Sequence, residues 1–151
     1  MNTLKHLLAA VAGVGLLSVT GIALAQETPA AAPAGVKLVD GAGAQALQGK
    51  GAVMIDTRKA SEFADGTIKG AISVPYDPEK SAKSADFDAS HDKFDMGKIA
   101  DKNKDYVVFC NSGTCWKSYK AAVTMAKAGY KNVHWYRNGF PDWKARKLPT
   151  E

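Results

Sequence analysis

Cysteine is scarce in this chain of 151 residues: there are two, Cys110 and Cys115. Neither His91 nor His134 stands at a ligand-like spacing from another candidate ligand. Two cysteines with no histidine or further cysteine nearby make a poor zinc site, so no metal is expected. A phosphate-cradling Gly-Lys-Ser/Thr loop and a glycine-rich dinucleotide fingerprint are both absent, and no organic cofactor is expected either. No dense Lys/Arg run interleaves with aromatics, so the net charge of +5 does not point to nucleic acid. A mild, mixed positive balance suits small anions instead. No internal repeat is present.

The N-terminus is read as a targeting segment. Lys5 supplies a positive start, and Leu7 to Leu24 is an apolar stretch interrupted by Gly13, Gly15, Ser18, Thr20 and Gly21. Ala23-Leu24-Ala25 fits the small-x-small cleavage rule, which assigns residues 1–25 to a cleaved signal peptide. The alternative is a retained membrane anchor. The glycines and the cleavage site favour removal, and no cysteine near that site would take a lipid. Export of this kind implies the periplasm or the cell exterior, both oxidising compartments, and the protein is expected to be periplasmic. Residues 26–35 (Gln-Glu-Thr-Pro-Ala-Ala-Ala-Pro-Ala-Gly) read as a mobile Pro/Ala linker. Residues 36–151 are then one ordinary domain, able to bury a core without staples.

Within that domain apolar runs alternate with helical patterns. Strands are predicted at Val36–Val39, Ala52–Ile55, Ala71–Val74, Tyr106–Phe109 and Asn132–Tyr136, with helices at Ala42–Gln48, Ser61–Ala64, Cys115–Ala128 and from Asn138-Gly139 through Trp143. In the longest helix, Trp116, Tyr119, Val123 and Ala126 share one face, and Lys117, Lys120, Thr124 and Lys127 another. Tyr76 to Asp105 reads as a charged, partly helical connection, either a solvated surface or a wall of the active site. Alternating strands and helices predict an α/β fold with an open parallel sheet. Ligands bind such sheets at the carboxyl ends of the strands. Asp56-Thr57-Arg58, Cys110 to Thr114 and Arg137-Asn138-Gly139 all fall at such ends.

The cysteines frame the loop Cys110-Asn111-Ser112-Gly113-Thr114-Cys115, followed by Trp116-Lys117-Ser118. Cys110 closes a buried strand and faces a helix N-terminus, a setting that favours a thiolate. A loop-local bridge between the two would contribute little entropy, so stability alone is a weak reason for the pair.

Three segments resemble the rhodanese (thiosulfate sulfurtransferase-like) family, in its single-domain, exported form. The first is Asp56-Thr57-Arg58 with Glu62-Phe63 and Gly66-Thr67-Ile68-Lys69-Gly70-Ala71-Ile72-Ser73-Val74-Pro75; the second is Val107-Val108-Phe109-Cys110 with its loop; the third is Gly139-Phe140-Pro141-Asp142-Trp143-Lys144. They occur in the family's order over almost the whole domain. The loop departs from the pattern. The family's anion-binding arginine, five positions after the cysteine, is replaced by Cys115, Trp116 follows it, and the family's histidine before the isoleucine is Thr67. This Cys-x4-Cys-Trp loop resembles a periplasmic-type subgroup.

The resemblance implies a rhodanese-like sheet with helices on both faces and sulfurtransferase activity through a persulfide on the catalytic Cys110. A small anionic sulfur donor such as thiosulfate and a thiol or cyanide acceptor are the implied partners, with a periplasmic thiol reductant as a further one. The alternatives are a thiol–disulfide or sulfur relay using both cysteines, and a non-catalytic binding module. A cysteine phosphatase is disfavoured because Phe109 and Trp116 stand where its histidine and arginine would be. Amides from Asn111, Ser112, Gly113, Thr114, Cys115 and Trp116 are expected to curl toward the sulfur. Cys115 is a resolving thiol, a space-filling residue or a permanent disulfide partner. Lys117 either replaces the missing arginine's charge or is a solvated helix lysine. Arg58 pairs with Glu62, braces the loop or meets substrate, and Asp56 is a strand-end acceptor. Trp116 packs at the loop's base; Trp135, Tyr136 and Trp143 belong to the core or the pocket rim.

Overall fold

The protein is described by a computed structural model covering residues 24–151. All but the last two residues of the expected signal peptide lie outside the described residues. The elements run β1 (Val36–Val39), α1 (Gly41–Gly49), β2 (Val53–Asp56), α2 (Ala60–Ala64), β3 (Ile72–Ser73), β4 (Tyr76–Asp77), β5 (Lys93–Phe94), a 3-10 turn (Met96–Ile99), β6 (Asp105–Phe109), α3 (Trp116–Lys127), β7 (Asn132–Tyr136) and α4 (Gly139–Ala145). Five strands form a wholly parallel sheet in the order β1-β7-β6-β2-β3. β6 lies at its centre, with Asp56 opposite Phe109 on one side and Tyr136 opposite Phe109 on the other. Three strand ends are thereby brought to one edge.

Alternation along β6 explains why both faces need helices. Val108 joins Ile55, Trp135, Ala121, Ala122 and Met125 on the α3 side. Val107 and Phe109 join Met54, Tyr136, Ala44, Phe140 and Trp143 on the side covered by α1 and α4. A strand buried on both faces is a continuous apolar run. Trp135, Tyr136 and Trp143 are fully buried, as core residues.

Three expectations need correction. The apolar face assigned to α3 meets the sheet only through Tyr119, whose ring stands edge-on to Trp135 at 5.3 Å. Ala121, Ala122 and Met125 pack there, and Ser118 accepts the Trp135 indole N–H at 3.0 Å. Trp116 and Val123 instead line an outer pocket with Pro29, Ala85 and Phe87. Lys120, assigned to the other face, is 1% exposed; its ammonium donates to the carbonyls of Ser81, at 2.6 Å, and Asp86.

The connection from Tyr76 to Asp105 is the second. It is not helical beyond one 3-10 turn, and β4 and β5 pair in it as a small antiparallel ladder. Its Phe87, Phe94, Met96 and Ile99 pack against the core.

The third is the linker at residues 26–35. It does not hang free: the Thr28 N–H and hydroxyl both donate to the Gly113 carbonyl, and Thr28 is 3% exposed. Gln26 N–H donates to Lys83 O, and the Trp116 indole to Gln26 O at 2.8 Å. Pro/Ala composition signals only the lack of a helix or strand of its own; hydrogen bonds to distant residues order it here.

Candidate active site

Cys110 sits one residue past β6, held from both sides. Thr57, at the end of β2, donates its amide and hydroxyl to the Phe109 carbonyl at 3.1 and 2.8 Å. Phe140, in the first turn of α4, donates its amide to the Cys110 carbonyl at 2.8 Å. That contact requires glycine at 139. Gly139 has φ +64°, where side chains are strained, and a Cβ there would collide with the Cys110 carbonyl.

Behind this edge lies a buried ion pair. Asp56 is fully buried and accepts from the Arg58 amide (2.9 Å), Nε (3.0 and 3.1 Å) and Nη2 (2.6 Å), and from the Thr67 hydroxyl (2.7 Å). Arg58 donates also to Gly66 O at 2.7 Å, and its guanidinium lies 4.4 Å from the Phe140 ring centre. Of the three roles open to Arg58, pairing with Glu62 and meeting substrate are set aside. It is 5% exposed, its partner is Asp56, and it braces the loop through Phe140. Thr67 stands where the family pattern has histidine, and its hydroxyl completes the acceptor sphere of Asp56.

In front lies a cavity of about 600 Å³. Cys110, Asn111, Ser112, Thr114, Cys115 and Lys117 line it, joined by Lys59, Ser61 and Glu62 from the α2 region and by Ala82 and Lys83 from the long connection. Three lysines therefore surround one acid. Lys117 is 8% exposed, so it is not a solvated helix lysine. Burial pulls its ammonium below the usual lysine range, with Glu62 opposing that shift. For Glu62 burial pushes the carboxyl up. Hydrogen bonds from the Asn111 side chain and the Lys59 amide, with the charges of Arg58 and Lys117, outweigh this and leave it below the usual range. The Asn111 bond is 2.7 Å and ties the loop to α2.

Cys110 and Cys115 are joined as a disulfide, with 6.2 Å between their Cα atoms. In this oxidised state three of the six amides expected to cradle the sulfur are bonded elsewhere. Thr114 N–H donates to Ser112 Oγ at 3.4 Å, Cys115 N–H to Ser112 O at 3.0 Å and Trp116 N–H to Ala82 O at 3.0 Å. A disulfide sulfur carries no charge, and these three amides bond to oxygen acceptors instead. Gly113 and Trp116 turn from the cavity to the N-terminal segment. The Gly113 carbonyl takes the two Thr28 donors, and Arg137 lies so close to Gly113 that a Cβ there would meet its guanidinium. Arg137 in turn donates to the Thr28 hydroxyl (3.1 Å) and carbonyl (3.0 Å).

The sequence reading thus placed the loop, Lys117 and the strand ends, and missed Lys59, Lys83 and Thr28. Lys59 directly follows the Asp56-Thr57-Arg58 strand end and was findable by position. Lys83 and Thr28 carry no local signal, because long-range hydrogen bonds bring them in. His134 is a strand histidine whose Nε2 lies 3.1 Å from Asp105. His91 is exposed, and its Nδ1 lies 2.8 Å from Asp88.

Comparison with known proteins agrees with this geometry. Residues 42–146 match the Rhodanese-like domain. A mitochondrial protein of Schizosaccharomyces pombe named as a thiosulfate sulfurtransferase is 30% identical over 95 residues, which are 62% of this chain and 64% of that one. The chain thus spans just under two thirds of that relative. The chloroplastic thiosulfate sulfurtransferase 16 of Arabidopsis thaliana is 29% identical over 100 residues, 64% of this chain and 78% of its own. A rhodanese-related protein of Thermoplasma volcanium shares the fold, with a TM-score of 0.55 at 20% identity over 76% of this chain and 97% of its own. By its fold, its matched residues and the placement of its loop cysteine, the chain belongs to the family of rhodanese-like domains.

Proposed function

We propose that this protein is an exported, periplasmic sulfurtransferase that carries sulfane sulfur as a persulfide on Cys110. The observation that carries the reading is the position of Cys110 on a cavity lined by Lys59, Lys83 and Lys117, which suits a sulfur-bearing anion. The thiolate attacks the outer sulfur of thiosulfate or a similar donor. A new S–S bond forms on Cys110, the old one breaks, and sulfite leaves with its electron pair. Attack on the outer persulfide sulfur by an external thiol or cyanide then returns the thiolate. Names of the relatives from Schizosaccharomyces pombe and Arabidopsis thaliana support the reaction class. Lys5, the apolar stretch Leu7–Leu24 and Ala23-Leu24-Ala25 support export. An oxidising compartment suits a bonded cysteine pair, and a thiol reductant is then the partner that frees Cys110.

The experiment is direct. The protein is reduced, freed of reductant, given thiosulfate and weighed intact. A gain of one sulfur that disappears in Cys110→Ser is expected. Equal uptake by Cys110→Ser would sink the assignment, and no uptake would leave a binding module. The bonded pair favours one second reading, a thiol–disulfide or sulfur relay in which Cys115 resolves the persulfide.

A further inference from the structure

Attack on thiosulfate uses a reduced Cys110 and leaves the bonded pair without a role. The two sulfurs of that pair are not equivalent. Cys110 is 1% exposed, whereas Cys115 is partly exposed and stands at the N-cap of the twelve-residue helix α3, where no side-chain bond caps the helix. Both residues line the cavity that Lys59, Lys83 and Lys117 make positive, and its one acid, Glu62, is occupied by Asn111 and the Lys59 amide. A negatively charged nucleophile is drawn in, and of the two cysteines Cys115 is the more exposed to it.

We propose that the oxidised protein is itself a loading state: hydrosulfide enters this cavity and opens the disulfide at Cys115. The inference rests on the reading of Cys110 as the persulfide carrier. Hydrosulfide sulfur bonds to Cys115 Sγ, the Cys110–Cys115 bond breaks, and its electron pair goes to Cys110 as thiolate. Cys110 then attacks the outer sulfur of the Cys115 persulfide, and Cys115 leaves as thiolate. The positive end of α3 stabilises that leaving thiolate. The sum is balanced. Hydrosulfide sulfur is oxidised to the sulfane level by two electrons, the disulfide is reduced by the same two, and one sulfur ends on the buried Cys110. Hydrosulfide is compact enough for a site whose inner cysteine is only 1% exposed, and it needs no oxidant beyond the bond already present. The reaction class that must precede each loading is one that makes the disulfide, so uptake without an added oxidant stops at one sulfur per chain.

The test is a crossover on the unaltered protein under oxygen-free conditions. Oxidised and reduced samples each receive sodium sulfide or thiosulfate, are quenched with iodoacetamide at a series of times and are read by intact mass and fragment mapping. The oxidised sample should gain one sulfur from sulfide, and the reduced sample none. The extra sulfur should appear first on Cys115 and later on Cys110. Uptake from sulfide by the reduced sample, bond opening without retained sulfur, or a label that is on Cys110 from the start each overturns the proposal. Lys83→Gln, or added salt, should slow the opening about threefold or more, since both weaken the attraction for the anion. A rate indifferent to both also overturns it. Thiosulfate with the reduced sample is a separate arm. Failure there with sulfide loading intact rejects thiosulfate as donor and leaves this inference standing.

Discussion

Replacing Asp56 by asparagine keeps the shape of the residue and removes its charge, and the surroundings of Asp56 set the cost. Its carboxylate takes the Arg58 amide, Nε and Nη2 and the Thr67 hydroxyl, and none of it reaches solvent. An amide there loses one acceptor oxygen and turns two N–H donors toward groups that are themselves donors. Arg58, 5% exposed, is left with the Gly66 carbonyl and the face of Phe140. Stranding one member of a buried pair costs about 3–5 kcal/mol. A domain of this size has only about 5–15 kcal/mol in all. With a urea dependence of about 2 kcal/mol per molar, the unfolding midpoint should fall by roughly 2 M. Arg58→Met alone should be similarly damaging. The double variant should recover about 1–3 kcal/mol relative to additivity, because neither charge is then left alone. Urea unfolding followed by tryptophan fluorescence reads all four proteins. A single Asp56→Asn loss below about 1 kcal/mol, or strict additivity of the pair, would refute the account of Asp56 as the buried anchor of the strand edge.

Gly139→Ala should lower stability by about 1–2 kcal/mol for its left-handed backbone alone. It should also slow sulfur uptake, because the new Cβ displaces the Cys110 carbonyl; a variant with parental melting temperature and uptake rate would contradict the contact. Lys117→Gln should slow thiosulfate-driven uptake about tenfold, the equivalent of about 1.4 kcal/mol in the barrier. Because burial holds the Lys117 pKa below 10.5, its charge is lost earlier than that of an ordinary lysine as pH rises, so the apparent KM for thiosulfate should climb in the window below 10.5. Lys117→Arg should flatten that climb, and an unchanged profile would remove Lys117 from the anion site. Thr28→Val should release the Gly113 carbonyl from one donor and Arg137 from one acceptor, about 1–2 kcal/mol of local order. Amide hydrogen exchange over Gly113 to Trp116 should quicken while β6 stays protected; unchanged exchange in the loop would mean that the segment merely lies on the surface.

Amino-acid order alone determined the parallel α/β plan. Val36–Val39 and Asn132–Tyr136 are strands at the residues expected, and the runs around Ile55 and Val108 are strands within a residue. Continuous apolar runs of that length between glycines and polar turns have few other ways to bury themselves. The same local logic put Cys110 at a strand end and Cys115 at a helix start, since both boundaries lie in adjacent residues. Tertiary structure decided what distant segments meet. It turned Ala121, Ala122 and Met125 of α3 to the sheet, with Tyr119 against Trp135, and left Trp116 and Val123 to an outer pocket. It gave Arg58 to Asp56 rather than Glu62, and it brought Lys83 and Thr28 from poorly patterned segments to the active-site loop. Asp56 and Glu62 both lie within four residues of Arg58, and the Gly66 carbonyl and the Phe140 ring around the guanidinium accompany its pairing with Asp56. Lys83 and Thr28 meet the loop from segments far away in sequence, and periodicity carries no record of that. The joining of Cys110 to Cys115 lies between the two cases. Their spacing permits it, and the folded loop joins the two sulfurs beside one cavity, with Cys110 the more deeply buried of the pair.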